Sequence, residues 1–91
     1  MEVKEVVAIA KNYTTDLFVD EQISDLGLEE VEYNELSGEW LVTLGFSRPW
    51  EKIAGFWSVT QSPQQRRSYK VVRISDENGR VISVKDRGLT R

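Results

Sequence analysis

The chain has 91 residues and contains neither cysteine nor histidine. Without cysteine it can form no disulfide bond and no thiolate metal site. Without histidine it lacks the usual ligand of zinc, iron and copper, and the usual proton carrier of acid–base catalysis. Serine and threonine are present, but no histidine can activate them as nucleophiles. These absences argue against a transition-metal site and against an enzyme.

Long apolar runs and clustered glycines are absent as well. No segment approaches the roughly 20 apolar residues that span a bilayer. Glu2, Lys4 and Glu5 interrupt the first ten residues, where a signal peptide would carry its apolar core. The six glycines are scattered and form no phosphate-binding loop. The sequence therefore predicts a cytoplasmic protein without a membrane segment, a metal ion or a cofactor.

Carboxylates are abundant, but their spacing is that of a solvated strand. Glu30 and Glu32 share one face of a predicted strand, and Glu29 and Glu35 share the other. Such clusters are ordinary on strands that face water. We therefore predict no catalytic residue among them.

The overall composition is that of a folded protein, with 40% hydrophobic and 30% charged residues. Residues 1–91 are predicted to form a single domain, because this length supplies one core. The net charge of −3 is unevenly distributed along the chain. Residues 1–47 carry a net charge of −9, and residues 48–91 carry +6. The basic half could bind nucleic acid, or acidic and basic strands could pair within one sheet. We favour the pairing.

The first part of the chain has helical periodicity, and we predict a helix from Glu2 to Asp16. Its apolar side chains recur at spacings of three and four residues and form one stripe. The stripe consists of Val3, Val6, Val7, Ala10, Tyr13, Thr14 and Leu17. A stripe of this kind predicts that the helix covers a sheet.

A first hairpin is predicted over residues 28–47. Its strands flank Ser37 and Gly38, which suit a two-residue turn with the glycine at positive φ. This turn aligns Val31 with Leu44. One face of the hairpin is then apolar, and the other is acidic.

A second hairpin is predicted over residues 69–86. We expect a three-residue loop, 77–79, with a G1 bulge in which Gly79 takes the left-handed conformation. This loop aligns Ile74 with Ile82. A slip of one residue would mix apolar and polar side chains on both faces.

Together these elements predict an α+β fold in which the N-terminal helix packs on a four-stranded antiparallel meander sheet, α-β-β-β-β. The predicted buried face consists of Val31, Tyr33, Trp40, Val42, Leu44, Phe46, Val72, Ile74, Ile82 and Val84. An unpaired edge strand of such a sheet offers a route to a homodimer by sheet extension.

The periodicity is lost between the hairpins, from residue 48 to residue 67. A connection of this length is usually functional or mobile. Its apolar residues either fold back over the sheet, which supplies buried area, or form an aromatic contact surface with a basic rim. That rim comprises Arg48, Lys52, Arg66 and Arg67.

The order of these segments resembles a known family. PepSY-like domains and, more loosely, cystatin-like α+β folds are similar to three parts of the chain: the helix, the strand sequence Leu-Glu-Glu-Val-Glu-Tyr-Asn-Glu, and the hairpin Tyr-Lys-Val-Val-Arg-Ile-Ser-Asp-Glu-Asn-Gly-Arg-Val-Ile. The resemblance is best over residues 69–84. The tyrosine, turn acid, turn glycine and following apolar residue of the family correspond there to Tyr69, Asp76, Gly79 and Val81.

The resemblance implies an inhibitory or regulatory module rather than an enzyme. Most domains of this family are exported or membrane-attached. This chain departs from them in showing no export signal and in having a long aromatic middle loop.

Two hypotheses for function follow. In the first, the chain is a non-catalytic protein-binding or regulatory module whose partner is another protein and whose contact surface lies in loop 48–67. The candidate binding residues are Arg48, Trp50, Phe56, Trp57, Arg66 and Arg67. In the alternative, the basic half binds nucleic acid and a tryptophan stacks on a base. The basic strip of this alternative comprises Arg66, Arg67, Lys70, Arg73, Lys85, Arg87 and Arg91.

Overall fold

The computed structural model describes residues 1–50 and 67–87, and it shows an N-terminal helix packed on an antiparallel sheet. The elements are the helix α1 (Val3–Leu17), a 3₁₀ turn (Val19–Glu21) and the strands β1 (Ser24–Asn34), β2 (Glu39–Ser47), β3 (Ser68–Ser75) and β4 (Val81–Asp86). The strands lie in the order β1-β2-β3-β4, and each neighbouring pair is antiparallel. The predicted α+β meander is therefore confirmed. None of the helices in these two ranges is long and apolar enough to cross a membrane.

Helix α1 begins and ends within one residue of its predicted bounds. The Glu5 carboxylate accepts a hydrogen bond from the Glu2 backbone N–H at 3.4 Å, and its negative charge suits the first helical turn. Val6, Ala10 and Thr14 are fully buried, because a spacing of four residues keeps them in one line on the helix. The predicted stripe was wider, and three of its members at the ends or flank of the helix remain substantially exposed: Val3, Tyr13 and Leu17.

The core lies between α1 and one face of the sheet. Its fully buried cluster consists of Val6, Ala10, Val42, Leu44, Val72 and Ile74, and Phe46 is also fully buried. Partly buried side chains border the cluster: Ile9, Leu26, Val31, Trp40, Val81 and Val84. Alternation along the strands places the sheet residues of this core on one face, as predicted. The prediction of the core was wrong for two residues, Tyr33 and Ile82, which are 41% and 43% exposed.

The β1–β2 turn contains four residues, 35–38, instead of the predicted two. The Gly38 N–H donates to the Asn34 carbonyl oxygen at 2.9 Å and closes this longer loop. The side-chain oxygen of Asn34 also accepts from the backbone N–H groups of Leu36 and Ser37, at 3.0 and 3.3 Å. The asparagine side chain therefore favours the longer turn, because it accepts from two N–H groups within the loop.

The longer turn shifts the predicted register of the first hairpin by two residues. Val31 pairs with Val42 instead of Leu44. Because side chains alternate with a period of two, the shift leaves the residues near the turn on their predicted faces. Gly38 has a φ of +69°, as predicted.

The β3–β4 turn is built in the same way. The Gly79 N–H donates to the Ser75 carbonyl at 2.8 Å, and the Ser75 N–H donates to the Arg80 carbonyl at 2.9 Å. The loop therefore contains residues 76–79 instead of 77–79. Gly79 has a φ of +71°, so its predicted left-handed conformation is confirmed.

A bulge in β4 makes the predicted pairing of Ile74 with Ile82 wrong. Ile74 pairs with Val81, and the register shifts between Arg73 and Ile74, so that Ile82 is the extra residue of the bulge. Val81 consequently packs against the core, and Ile82 is exposed.

The two turns and the chain start meet at one end of the molecule, here called the turn end. The Asp76 N–H donates to the Gly38 carbonyl at 3.0 Å and joins the turns. The Asp76 carboxylate accepts from the Trp40 indole N–H at 2.8 Å and from the Met1 amino group at 3.2 Å. These bonds, chiefly the one from Trp40, lower the pKa of Asp76 below its ordinary value of 3.8.

This lowered pKa makes the stability of the fold depend on pH. The charged carboxylate stabilises the folded state above its ordinary pKa, and the contribution is lost as the pH falls through the lowered value. We expect Asp76→Asn to lower Tm at about pH 7, and its difference from the wild type to shrink below about pH 4. Glu77→Gln, an exposed carboxylate of the same turn, is the control. A difference between Asp76→Asn and the wild type that is constant with pH would contradict this role for the charge.

Candidate functional site

The structure describes three of the six candidate binding residues: Arg48, Trp50 and Arg67. Three others lie outside the described residues: Phe56, Trp57 and Arg66. The described residues lie opposite the turn end, where α1 and β2 finish and β3 begins. We call this the aromatic end.

Arg48 is the centre of a cluster at the aromatic end. Its guanidinium carbon lies 5.6 Å from the centroid of the Phe18 ring, 5.2 Å from that of Phe46 and 5.6 Å from that of Trp50. All three distances are within the range of cation–π attraction. The Phe18 and Phe46 centroids are 5.3 Å apart, and the two rings are tilted by 43°. We call these four residues the aromatic–arginine cluster.

Hydrogen bonds fix the guanidinium of Arg48 in place. Its Nε atom donates to Glu21 Oε1 at 2.5 Å, and its Nη1 atom donates to Ser68 Oγ. The side chain is only 14% exposed. Arg48 therefore joins the 3₁₀ turn to the start of β3, and it lies beneath the surface rather than on the rim that the sequence predicted.

Trp50 is the exposed member of the cluster. It is 56% exposed, although its ring lies over Arg48. Phe46, by contrast, is fully buried, and Phe18 is half-buried. The cluster thus presents one aromatic ring to solvent and holds it against a mostly buried cation.

Arg67 lies on the other face of the sheet. Its Nη2 atom is 2.9 Å from the position that a Cβ atom would take on Gly45, and it donates to the Asp25 carbonyl at 3.1 Å. Because side chains alternate along β2, Gly45 is on the face opposite to the core. The structure brings Arg48 and Trp50 together and leaves Arg67 apart from them.

Three residues that hold Arg48 were not predicted from the sequence. Phe18 caps the end of α1, Glu21 lies in the 3₁₀ turn, and Ser68 begins β3. The available signal was Phe18, a large aromatic residue that leaves the helical stripe where α1 ends. Lys70 also faces this ring, with its Nζ atom 5.6 Å from the Phe18 centroid.

Lys70 and Asp86 form an ion pair beside the cluster. Lys70 Nζ donates to Asp86 Oδ1 across the β3–β4 pair. This hydrogen bond, together with the charge of Lys70, lowers the pKa of Asp86 below its ordinary value, so the carboxylate is charged at neutral pH. The lysine is mostly buried, while the aspartate is about half exposed.

The acidic and basic parts of the chain pair with each other, as predicted. Four arginine–glutamate pairs join them, with N–O distances of 2.5–3.9 Å: Arg48–Glu21, Arg67–Glu29, Arg73–Glu39 and Arg87–Glu30. In one of them, Nε and Nη2 of Arg73 both donate to Glu39 Oε1, at 3.0 and 2.7 Å. Arg73–Glu39 is a pair between neighbouring strands, as predicted, whereas Arg48, Arg67 and Arg87 each lie one residue outside a strand. Four described cations of the basic strip are paired with carboxylates: Arg67, Lys70, Arg73 and Arg87.

Within residues 1–50 and 67–87, no three side chains of the metal-binding types come close enough to hold a metal ion. An open groove between α1 and β4 is lined by both apolar and charged residues: Ile9, Asn12, Tyr13, Asp16, Gly79, Arg80 and Val81. No model of a known protein family, no curated protein and no solved structure matches this chain.

Proposed function

We propose that this chain is a non-catalytic protein-binding module that contacts its partner through Trp50 and the surface around it. The observation that supports the proposal is the aromatic–arginine cluster, which holds a half-exposed tryptophan ring over a mostly buried arginine. A regulatory or inhibitory role is part of the proposal, because the resemblance to PepSY-like domains implies it.

A tryptophan held in this way suits partner binding for an energetic reason. Large aromatic side chains supply much contact area at low conformational cost, and they are enriched at the energetic centres of interfaces. The contact with Arg48 restricts the Trp50 ring before a partner arrives. Less entropy is then lost on binding, and more of the contact energy appears as affinity.

The charges weigh against the nucleic-acid alternative. Phosphate binding requires lysine and arginine side chains that can neutralise the backbone. Arg67, Lys70, Arg73 and Arg87 each lie within 3.9 Å of a carboxylate oxygen. These ion pairs would have to break before the same cations could hold phosphate groups.

Trp50→Ala is the direct test of the proposed surface. We expect immobilised wild-type protein to retain a specific protein from a lysate of the source organism. The affinity of the variant for that protein should be about tenfold lower or weaker still, which is the effect of truncating a binding hot spot. Leu36→Ala is the matched control, because Leu36 is 100% exposed and lies at the turn end.

The outcomes of this capture separate the hypotheses. Equal retention by the wild type and Trp50→Ala would contradict the proposed surface. Recovery of nucleic acid, with retention that falls steeply as salt rises, would support the alternative instead.

A further inference from the structure

We infer that the partner segment that contacts Trp50 is positively charged. This inference rests on the proposed function and specifies the chemistry of the partner: a peptide segment in which lysine or arginine stands beside apolar side chains. At the aromatic end, apolar and acidic side chains are exposed, whereas two basic side chains are mostly buried.

Among the described residues of the aromatic end, exposed apolar side chains lie on both sides of Phe18 in the chain and at Trp50. Leu17 is 50% exposed and Val19 is 64% exposed, and both flank Phe18 in the chain. The Phe18 ring lies over the same guanidinium as the Trp50 ring. Leu17 and Val19 thus flank, in the chain, a ring that shares its guanidinium with Trp50, and we call Leu17, Val19 and Trp50 the Trp50 patch. Grouped apolar exposure of this kind marks contact surfaces more often than scattered exposure does.

Two described cations of this end lie beneath the Trp50 patch. Arg48 and Lys70 are both mostly buried, and each is paired with a carboxylate. Their charge is neutralised within the fold, so they do not favour an anionic partner. The sequence predicted Arg48 on an exposed basic rim, but its charge lies mostly in the interior and is paired with Glu21.

Among the residues that the structure describes, acidic side chains are exposed next to the Trp50 patch. Asp16 precedes Leu17 in the chain, and Asp20 follows Val19. Both carboxylates are exposed. The Asp86 side chain is about half exposed. Its lowered pKa means that it is charged at neutral pH. Carboxylates around an apolar surface attract a cationic partner and repel an anionic one.

The end of α1 adds to this negative potential. The helix ends at Leu17 and has no basic residue in its last turn. The carbonyl groups at a helix C-terminus carry a partial negative charge, which a cation stabilises when it lies close to the last turn. A lysine or arginine of the partner that approaches Asp16 would meet the carboxylate and the helix end together.

Two synthetic peptides of equal length test the inference. The first contains leucine, tryptophan and lysine, and the second has glutamate in place of every lysine. We expect the lysine peptide to bind the wild-type protein with an affinity that weakens as salt rises, and the glutamate peptide not to bind. In ¹H–¹⁵N spectra, the signals that move most should be those of Leu17, Val19 and the Trp50 indole.

Charge reversal locates the attraction. Asp16→Lys combined with Asp20→Lys is expected to weaken binding of the lysine peptide about tenfold or more. Glu35→Lys combined with Glu77→Lys makes the same change in net charge at the turn end, and it should change the affinity by no more than about twofold. Equal losses in the two double variants, equal binding of the two peptides, or no binding of the lysine peptide would overturn the inference.

The partner captured from the lysate distinguishes this inference from the proposed function. If Trp50→Ala loses that partner and Asp16→Lys with Asp20→Lys keeps it, the inference is wrong and the proposed surface stands. If Trp50→Ala keeps the partner, the proposed function is wrong.

Discussion

Gly79→Val is expected to lower the free energy of unfolding by about 2–3 kcal/mol, mainly through backbone strain, with a smaller cost from displacing the ends of two side chains. The φ of Gly79 is +71°, a conformation that a β-branched residue resists. A Cβ atom at this position would lie 2.6 Å from Met1 Cε and 3.3 Å from Ile9 Cδ1. Valine would therefore strain the turn and displace the side chains that cover it. Denaturant unfolding measures the loss.

Gly38→Val is the matched control for this variant. Gly38 has almost the same φ, +69°, but no described atom lies within 4 Å of its Cβ position. Only the backbone cost of about 1–2 kcal/mol should remain. The difference between the two variants isolates the packing over the second turn. Equal losses would show that Met1 and Ile9 do not pack tightly there, and wild-type stability in both would contradict the left-handed turns.

Phe46→Ala is expected to lower the free energy of unfolding by about 3–5 kcal/mol, as for a large aromatic residue removed from a core. Phe46 is fully buried, and its ring packs against Phe18 and lies under the guanidinium of Arg48. Truncation leaves a cavity between the helix end and the sheet. It also removes one of the rings that attract the arginine.

Trp50→Ala provides the comparison for Phe46→Ala. Because Trp50 is half-exposed, its truncation should cost about 1 kcal/mol or less, mainly the cation–π contact with Arg48. Thermal and denaturant unfolding of the two variants measure the difference. A similar loss in both would place Trp50 in the core and remove the basis of the proposed contact surface.

These two pairs of variants probe opposite ends of the domain. At the turn end, hydrogen bonds to Asp76 join both turns and the chain start. At the aromatic end, the residues that pack the last turn of the helix against β2 also orient Trp50. Substitutions near Arg48 are therefore expected to change both the stability of the fold and the orientation of Trp50. Substitutions at the turn end should change stability alone. This separation makes turn-end variants suitable controls for binding.

Periodicity in the sequence predicted the type and order of the helix and the strands, although β1 begins at Ser24 and not at Leu28. The strand β2 has its predicted bounds, and the helix is displaced by one residue. The faces of the strands were also largely right, because alternation with a period of two depends only on neighbouring residues. The register of the first hairpin was wrong by two residues, an error that alternation does not reveal.

The turns show why the remaining errors occurred. Gly38 and Gly79 were correctly assigned to positive φ, because glycine adopts this conformation without steric cost. The loop lengths were wrong, because they depend on which carbonyl accepts the glycine N–H and on side chains such as Asn34. The bulge at Ile82 then exchanged two adjacent apolar residues between the faces, and either residue was compatible with the pattern.

The candidate site was predicted in part. Residue type alone drew attention to Arg48 and Trp50, since arginine and tryptophan are common at binding surfaces. Their relation was not predicted, because burial of Arg48 requires a carboxylate and aromatic rings from other elements. The residues that meet these needs, Phe18, Glu21 and Ser68, are unremarkable in sequence.

Local patterns in the chain were enough to specify the type and order of the elements, the faces of the strands and the glycines of the turns, because these properties depend on interactions over a few residues. The turn lengths depend on local hydrogen bonds, such as those to Asn34, that periodicity does not reveal. Long-range contacts set the mostly buried position of Arg48 and join the two turns through Asp76. The physical reason is that an ion pair such as Arg48–Glu21 joins residues 27 positions apart. Whether a charge is exposed or neutralised is decided by that partner and not by its neighbours in the chain.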